Sequence, residues 1–245
     1  MQQGHPKVTQ QLRSGCALVS GGARGLGRAM ADALAAAGAE VHVFDVAADA
    51  AGGCGPHRFH PVDITDADAV AEAVASIGAA PGILVNNAGI TRDRTLMKMS
   101  AQEWGQVLDV NLTGAFNLIR AVAPRMAAAD GGAIVNITSI NGIRGKIGQG
   151  NYAASKAGLI GLTRTAAREM GRKGITVNAV APGMVMTEMA RALPPEILQR
   201  ALDETALGWL AAPEDIANAV VFLASHAARA ISGQVLQVDA GQLIA

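Results

Sequence analysis

Aromatic side chains are nearly missing from this 245-residue chain: they make up 3% of it, with a single tyrosine. The core is therefore expected to be aliphatic and alanine-rich, a composition that suits close helix–sheet packing. Charge is also sparse at 16%, and 20 Lys plus Arg balance 20 Asp plus Glu. That balance gives no support for a nucleic-acid or anionic-membrane partner. Two cysteines, Cys16 and Cys54, do not make a disulfide framework, and Cys16 in "CALVS" reads as a buried inert thiol. No stretch approaches eighteen uninterrupted apolar residues, and the opening "MQQGHPKVTQQLRS" lacks a signal peptide's apolar region. The expectation is a polar tail over residues 1–14, one domain over 15–245, and a soluble, reduced, cytoplasmic protein.

What is present alternates. Short apolar runs at 16–20, 40–45, 57–63, 82–87, 133–139, 175–182 and 233–239 are separated by stretches of helical period near 25–37, 66–76, 100–127, 150–171 and 213–225. Strand-length runs alternating with helices predict parallel βαβ units, and several runs are apolar on both faces. The fold class expected is α/β: about seven parallel strands in a doubly wound sheet with helices on both faces. No repeat or composition shift marks a second domain. The segment 185–212, with prolines at 194 and 195, is expected to lie over the sheet as a lid on the substrate side.

The first run leads into "SGGARGLGRA", residues 20–29. Gly21, Gly25 and Gly27, with Arg24 and Leu26 between them, follow a strand and open a helix. A dinucleotide pyrophosphate needs that context: a tight turn, close backbone approach and a helix N-terminus facing the charge. The spacing is G-x-x-x-G-x-G, a loose match to the common fingerprint. Asp45 ends the second run, where an acid can accept hydrogen bonds from both ribose hydroxyls and repel a 2′-phosphate. NAD is therefore expected over NADP; Arg24 is the one nearby cation that could receive a phosphate. Asp63, beside Ile64 in "VDIT", either reaches the adenine or caps the next helix. The "NNAG" of 86–89, with Asn87, Ala88 and Gly89, either lines the adenosine side or ties loops together.

At the other end, "GNYAASKAGLIG" (150–161) places Tyr152 four residues before Lys156, so both face the same way from one helix. A free phenol has a pKa of about 10 and is a poor acid–base catalyst at neutral pH; a fixed cation nearby favours its ionised form. Ser139 ends the fifth run, where the carboxyl end of a strand opens into the ligand crevice. A phenol, a hydroxyl and an ammonium then converge on one carbonyl or alcohol oxygen.

These motifs resemble the short-chain dehydrogenase/reductase family, especially its 3-oxoacyl-thioester reductase branch, over residues 15–241. The resemblance is carried by "SGGARGLG", "VDIT", "NNAG", "VNLTG", "ITS", "NYAASK", "VNAVAPGMVMT" and "GQVLQVDAG". It implies a Rossmann-type domain, a catalytic tetrad of Asn111, Ser139, Tyr152 and Lys156, and a homotetramer in which long helices of two subunits pack together. It also implies that Lys156 binds the nicotinamide ribose, that Asn111 supports a water chain, and that Pro182, Gly183, Val185 and Thr187 flank the nicotinamide. Two departures stand out. "AAADGG" (127–132) carries no basic residue where carrier-protein-dependent members tend to have a basic patch. This puts acyl carrier protein docking in doubt and gives weight to a coenzyme A thioester or a free small alcohol. Ala240 stands in "VDAG" where members often have glycine.

The function expected is NAD(H)-dependent interconversion of a secondary alcohol and a ketone, on a 3-hydroxyacyl/3-oxoacyl thioester or a similar small hydroxy compound. A small cyclic or polyol alcohol is the alternative substrate, and a non-catalytic dinucleotide-binding regulator the alternative class. Cys54, His57 and His60 have a spacing that could suggest a metal, but they straddle a loop and a strand with no fourth ligand in reach by sequence, so none is expected. His5, His42 and His226 read as isolated. Met184, Met186 and Met189 read as packing groups that could line an apolar pocket.

Overall fold

The structure, a computed structural model, describes residues 11–48 and 53–244; His5 lies outside the described residues, as does most of the expected tail. Seven parallel strands form one sheet: β1 (Cys16–Ser20), β2 (Glu40–Asp45), β3 (Arg58–Pro61), β4 (Ile83–Asn86), β5 (Gly132–Ile137), β6 (Ile175–Pro182) and β7 (Val235–Val238). Their order is β3-β2-β1-β4-β5-β6-β7. The chain winds outward one way from β1 and then the other way from β4. A crevice opens at this switch, beyond the carboxyl ends of β1 and β4.

The helices are α1 (Gly25–Ala36), α2 (Ala67–Ser76), α3 (Ala101–Leu108), α4 (Gly114–Ala128), α5 (Asn141–Arg144), α6 (Gly150–Met170), α7 (Glu188–Arg191), α8 (Pro195–Asp203) and α9 (Pro213–Leu223). Alternate strand residues feed two cores. Val19, Val43, Val85 and Val135 pack under Met30 and Leu34 of α1 and Ile216 and Val220 of α9. Leu18, Phe44, Leu84 and Ile134 pack under Val70 and Val74 of α2 and Leu118, Val122 and Met126 of α4. All these side chains are fully or almost fully buried, which explains why the runs are apolar on both faces.

Three features of the chain bear on function. The stretch expected as one helix over 100–127 is divided: between α3 and α4 the backbone makes a π turn, Asp109–Thr113. Segment 185–212 contains two short helices, α7 and α8. Ala240 adopts a left-handed φ of 55°, a conformation that favours glycine, in the turn after β7. No helix among the described residues is long and apolar enough to cross a membrane.

Candidate active site

At the phosphate end, the working groups are held by backbone packing. Gly21 has φ +64°, and a Cβ there would sit 2.8 Å from Ala88 Cα; at Gly27 a Cβ would collide with the Gly21 carbonyl. The absence of these Cβ atoms lets the β1–α1 turn press against the end of β4. Asn87 fastens the two together, donating from Nδ2 to the Ser20 and Gly21 carbonyls at 3.0 and 2.9 Å. The Ser20 hydroxyl accepts from the Asn87 and Ala88 amides. The sequence left "NNAG" open between lining and tying; the tying role is present. Helix α1 starts without a side-chain cap on Arg24 and without an acid in its first turn. Its leading N–H groups and the positive end of its dipole are thus left for an anion.

Asp45 stands beside this loop, its Oδ2 accepting from Ala23 N at 3.3 Å. Its other oxygen is available to a ribose. Asp63 is exposed and closes a local turn onto the Thr65 amide and hydroxyl at 2.9 and 2.8 Å. The cap of α2 is Asp66, not Asp63. The Ile64 side chain is buried, in the place a Cβ on Gly114 would occupy.

At the reacting end, side chains do the holding. Ser139 lies just past β5, buried, with its Oγ accepting from Asn141 N at 3.1 Å. Tyr152 and Lys156 project from the first two turns of α6, and Lys156 Nζ lies 5.7 Å from the Tyr152 ring centroid. Lys156 is buried and donates to the Ile137 carbonyl at 2.8 Å. Burial lowers its pKa to about 8. Burial pushes the Tyr152 phenol above its ordinary value; the Ser139 hydroxyl opposes the shift and the Asp93 carboxylate adds to it. The π turn supplies Asn111, which exchanges hydrogen bonds with both backbone groups of Ile90, at 2.8 and 3.1 Å. Asn111 also donates to Ser155 Oγ at 3.1 Å, and Ser155 donates to the Tyr152 carbonyl. Gly89 leaves room here: a Cβ would lie 3.3 Å from Asn111 Oδ1 and 3.4 Å from Lys156 Nζ. The four residues Asn111, Ser139, Tyr152 and Lys156 are brought to one end of the sheet.

Across the cleft, Pro182 ends β6. A Cβ on Gly183 would lie 2.7 Å from Asp239 Cβ, so glycine is needed for the close approach of the turn after β7. Val185 is buried and bridges to Ala211, and Thr187 caps α7 by accepting from Ala190 N at 3.2 Å.

Sequence reasoning missed a polar belt around the Tyr152 pocket. Gln242 accepts from Met184 N at 2.9 Å and donates to Glu204 at 2.9 Å. Glu204 pairs with Arg144 at 2.8 Å, and Arg144 donates to Asn141 Oδ1. Asn141 in turn donates to Gln149, which donates to Asp93. The belt thus runs from the turn after β7 through the lid to the Ser139 loop. Met184 lines the pocket and Met186 is half-buried; the Met189 side chain lies outside the described atoms.

Among the described residues no three His, Cys, Asp or Glu side chains gather as metal ligands. Cys54 donates to the His57 carbonyl, and His57 pairs with Asp32 at 2.7 Å. His42, expected to be isolated, is a correction: its Nδ1 lies 2.9 Å from His60 Nε2, and its Nε2 lies 3.2 Å from Glu40. Strand pairing between β2 and β3 brings the two rings together.

The two ends of the cleft make sense together if a redox dinucleotide spans them, its phosphates at α1 and its ring between Tyr152 and β6. Fold and site define the class, an oxidoreductase that uses a nicotinamide dinucleotide. Comparison with known proteins agrees. A family model described as enoyl-(acyl carrier protein) reductase matches residues 21–242. The 3-oxoacyl-[acyl-carrier-protein] reductase FabG of Staphylococcus epidermidis is 43% identical over 237 residues, covering 92% of this chain and 97% of the relative. The acetoacetyl-CoA reductase of Rhizobium meliloti is 44% identical over 242 residues, with 94% and 98% covered. A crystal structure from Agrobacterium tumefaciens, provisionally named a gluconate dehydrogenase, superposes with a TM-score of 0.89 at 32% identity, covering 97% of this chain and 99% of that one. The chain belongs to the short-chain dehydrogenase/reductase family.

Proposed function

We propose that the protein interconverts a secondary alcohol and a ketone with NAD(H), acting on a 3-hydroxyacyl/3-oxoacyl thioester or a similarly small hydroxy compound. The observation that carries this reading is the convergence of Ser139 and Tyr152 on one pocket, with Lys156 buried behind the phenol. When bound, the nicotinamide supplies or accepts the hydride. Ser139 Oγ holds the substrate oxygen, and Tyr152 Oη gives it a proton in reduction or takes one in oxidation. Lys156, charged at neutral pH with a pKa of about 8, favours the phenolate and holds the nicotinamide ribose. Asn111, fixed to Ile90 and Ser155, positions α6 and the proton path behind it.

The preference for NAD(H) rests on Asp45. Its carboxylate stands at the glycine loop, where a 2′-phosphate would bring like charge into a partly buried site. Turnover of acetoacetyl-CoA followed at 340 nm is expected with NADH at roughly tenfold or greater kcat/KM over NADPH, a difference of about 1.4 kcal/mol. Asp45→Arg should reduce or reverse the ratio. Equal kcat/KM for the two cofactors would remove the cofactor reading, and no ketone turnover with either would remove the enzymatic one.

A second substrate reading, a small hydroxy acid or polyol, is supported by the amide-rich pocket wall and by the likeness to the Agrobacterium tumefaciens structure. Segment 185–212 serves as the lid over this pocket. Assembly is proposed as a homotetramer through α4 and α6, where Phe116, Ala157 and Gly161 are exposed. Gly158, next to Ala157, packs instead against Leu112 of its own chain. A monomer by light scattering at micromolar concentration would count against this assembly. The buried thiol of Cys16 suits a reducing cytoplasm.

A further inference from the structure

Two cations line the pocket beside Tyr152, Arg144 and Lys146, and they are not equivalent. Arg144 is held from two sides, with Nη1 on Glu204 at 2.8 Å and Nε on Asn141 Oδ1 at 3.2 Å. Glu204 is engaged in turn by Gln242, and Asp93 by Gln149. Lys146 feels Glu204 through space, yet it is not one of the bonded partners of Glu204 or Asp93. Lys146 stands exposed at the edge of this belt, and its ammonium forms no hydrogen bond within it.

An ammonium on the wall of a concave site projects its field into that site, because low-dielectric walls focus it. A neutral ligand leaves this charge to Glu204 and to water, whereas an anionic one pairs with it directly. The cavity is small, about 190 Å³, below the range of roughly 300–1,000 Å³ common for ligand pockets. Lys146 and Tyr152 line the same small cavity, so a ligand group that meets Lys146 lies close to the one that reacts at Tyr152. The phosphates of coenzyme A, at the far end of its pantetheine arm, are too remote for that place.

We infer that Lys146 is a specificity-determining residue that reads a carboxylate carried a few bonds from the reacting carbon. The inference rests on the alcohol–ketone reading and narrows its substrates to 3-oxo compounds that bear a carboxylate. That group either stands in place of the thioester or ends the acyl tail.

The test compares four ketones with the full chain and saturating cofactor. They are acetoacetyl-N-acetylcysteamine, which is neutral; its 3-oxoadipyl counterpart, charged at the tail; acetoacetate, charged in place of the thioester; and acetoacetyl-CoA, charged far away. At least one carboxylate substrate should exceed the neutral ester by roughly tenfold in kcat/KM, mostly through KM, with the advantage shrinking as salt rises. Lys146→Gln should bring that ratio below about threefold, and Lys146→Arg should keep it. The inference is overturned if Lys146→Gln lowers neutral and charged substrates equally, if it affects none of them, or if only the coenzyme A ester responds. Should no ketone be turned over, the alcohol–ketone reading fails separately. Calorimetric titration of malonate into the cofactor-loaded protein then decides: binding weakened about fivefold or more by Lys146→Gln supports the inference, and unchanged or absent binding overturns it.

Discussion

At the phosphate end of the cleft the working groups are backbone amides, fixed where Gly21 and Gly27 allow chain to touch chain. At the reacting end they are side chains, held by hydrogen bonds that run through β5, α5, α6, the lid and the turn after β7. The first end works by exclusion of atoms: a methyl group in the wrong place would push apart the two stretches of backbone that shape the loop. The second works by connection, and its parts can be exchanged singly. A binding surface common to many substrates can be rigid and local, whereas a surface that must suit one alcohol is assembled from distant pieces.

That contrast can be broken in four ways, taken from the largest expected effect to the smallest. Tyr152→Phe removes the proton donor while leaving the glycine loop alone. Its kcat should fall by about a hundredfold or more with cofactor affinity nearly intact; single-turnover rates and fluorescence titration with NADH measure the two separately. A variant that turns over normally would show that the phenol is not the acid.

Gly27→Ala should do the opposite. The added methyl meets the Gly21 carbonyl and the Asn87 side chain, so the β1–α1 turn must shift. Cofactor Kd should rise by roughly tenfold or more, with the pKa of Tyr152 in the cofactor-free protein unchanged. An unaltered Kd would mean that the turn does not carry the dinucleotide.

Because the chain has one tyrosine, tyrosinate absorbance near 295 nm, at roughly the pH of phenol ionisation, reports Tyr152 alone above a background from Trp104 and Trp209. Without cofactor the phenol should titrate above its ordinary value, since burial disfavours the anion. With NAD⁺ bound it should titrate well below 10, and Lys156→Ala should move it back up. A titration unchanged by NAD⁺ would remove the electrostatic part of the mechanism.

The smallest effect lies away from the cleft. Burial first of all lowers the pKa of both His42 and His60 from the ordinary 6.5. The unfolded chain then binds these protons more readily than the folded one. Their contribution to stability is present above about pH 6.5 and is lost as pH falls through the lower folded values. His60→Leu should flatten the acid limb of Tm against pH without altering the pH dependence of turnover. An identical acid limb in the variant would show that the pair is silent.

The same contrast explains what could be read from the sequence. Seven strands, the glycine turn and the Tyr152–Lys156 pair were legible because each is a local pattern with a fixed period or spacing. The belt was not, because Arg144 meets Glu204 and Gln242 meets Met184 about sixty residues apart, and no spacing rule spans such gaps. The His42–His60 pair depends on strand register, which single runs do not state. Asp63 and Asp66 compete for one cap within four residues, and only the turn geometry separates them. The π turn at Asn111 leaves no mark in composition at all.

That turn has a consequence for how the site can change over time. A π turn amounts to one residue more than a regular helix would hold between the same ends. Deleting one residue from Asp109–Thr113 would let α3 run straight into α4, at little cost to either. The flanking turns would keep their faces, but Asn111 would be drawn back into a regular helix and its amide would leave Ile90. If Asn111 plays the part proposed for it, the reaction hangs on a single codon's worth of length. Drift by substitution can tune this family member gradually, but loss of three nucleotides here would silence it in one step while sparing its fold.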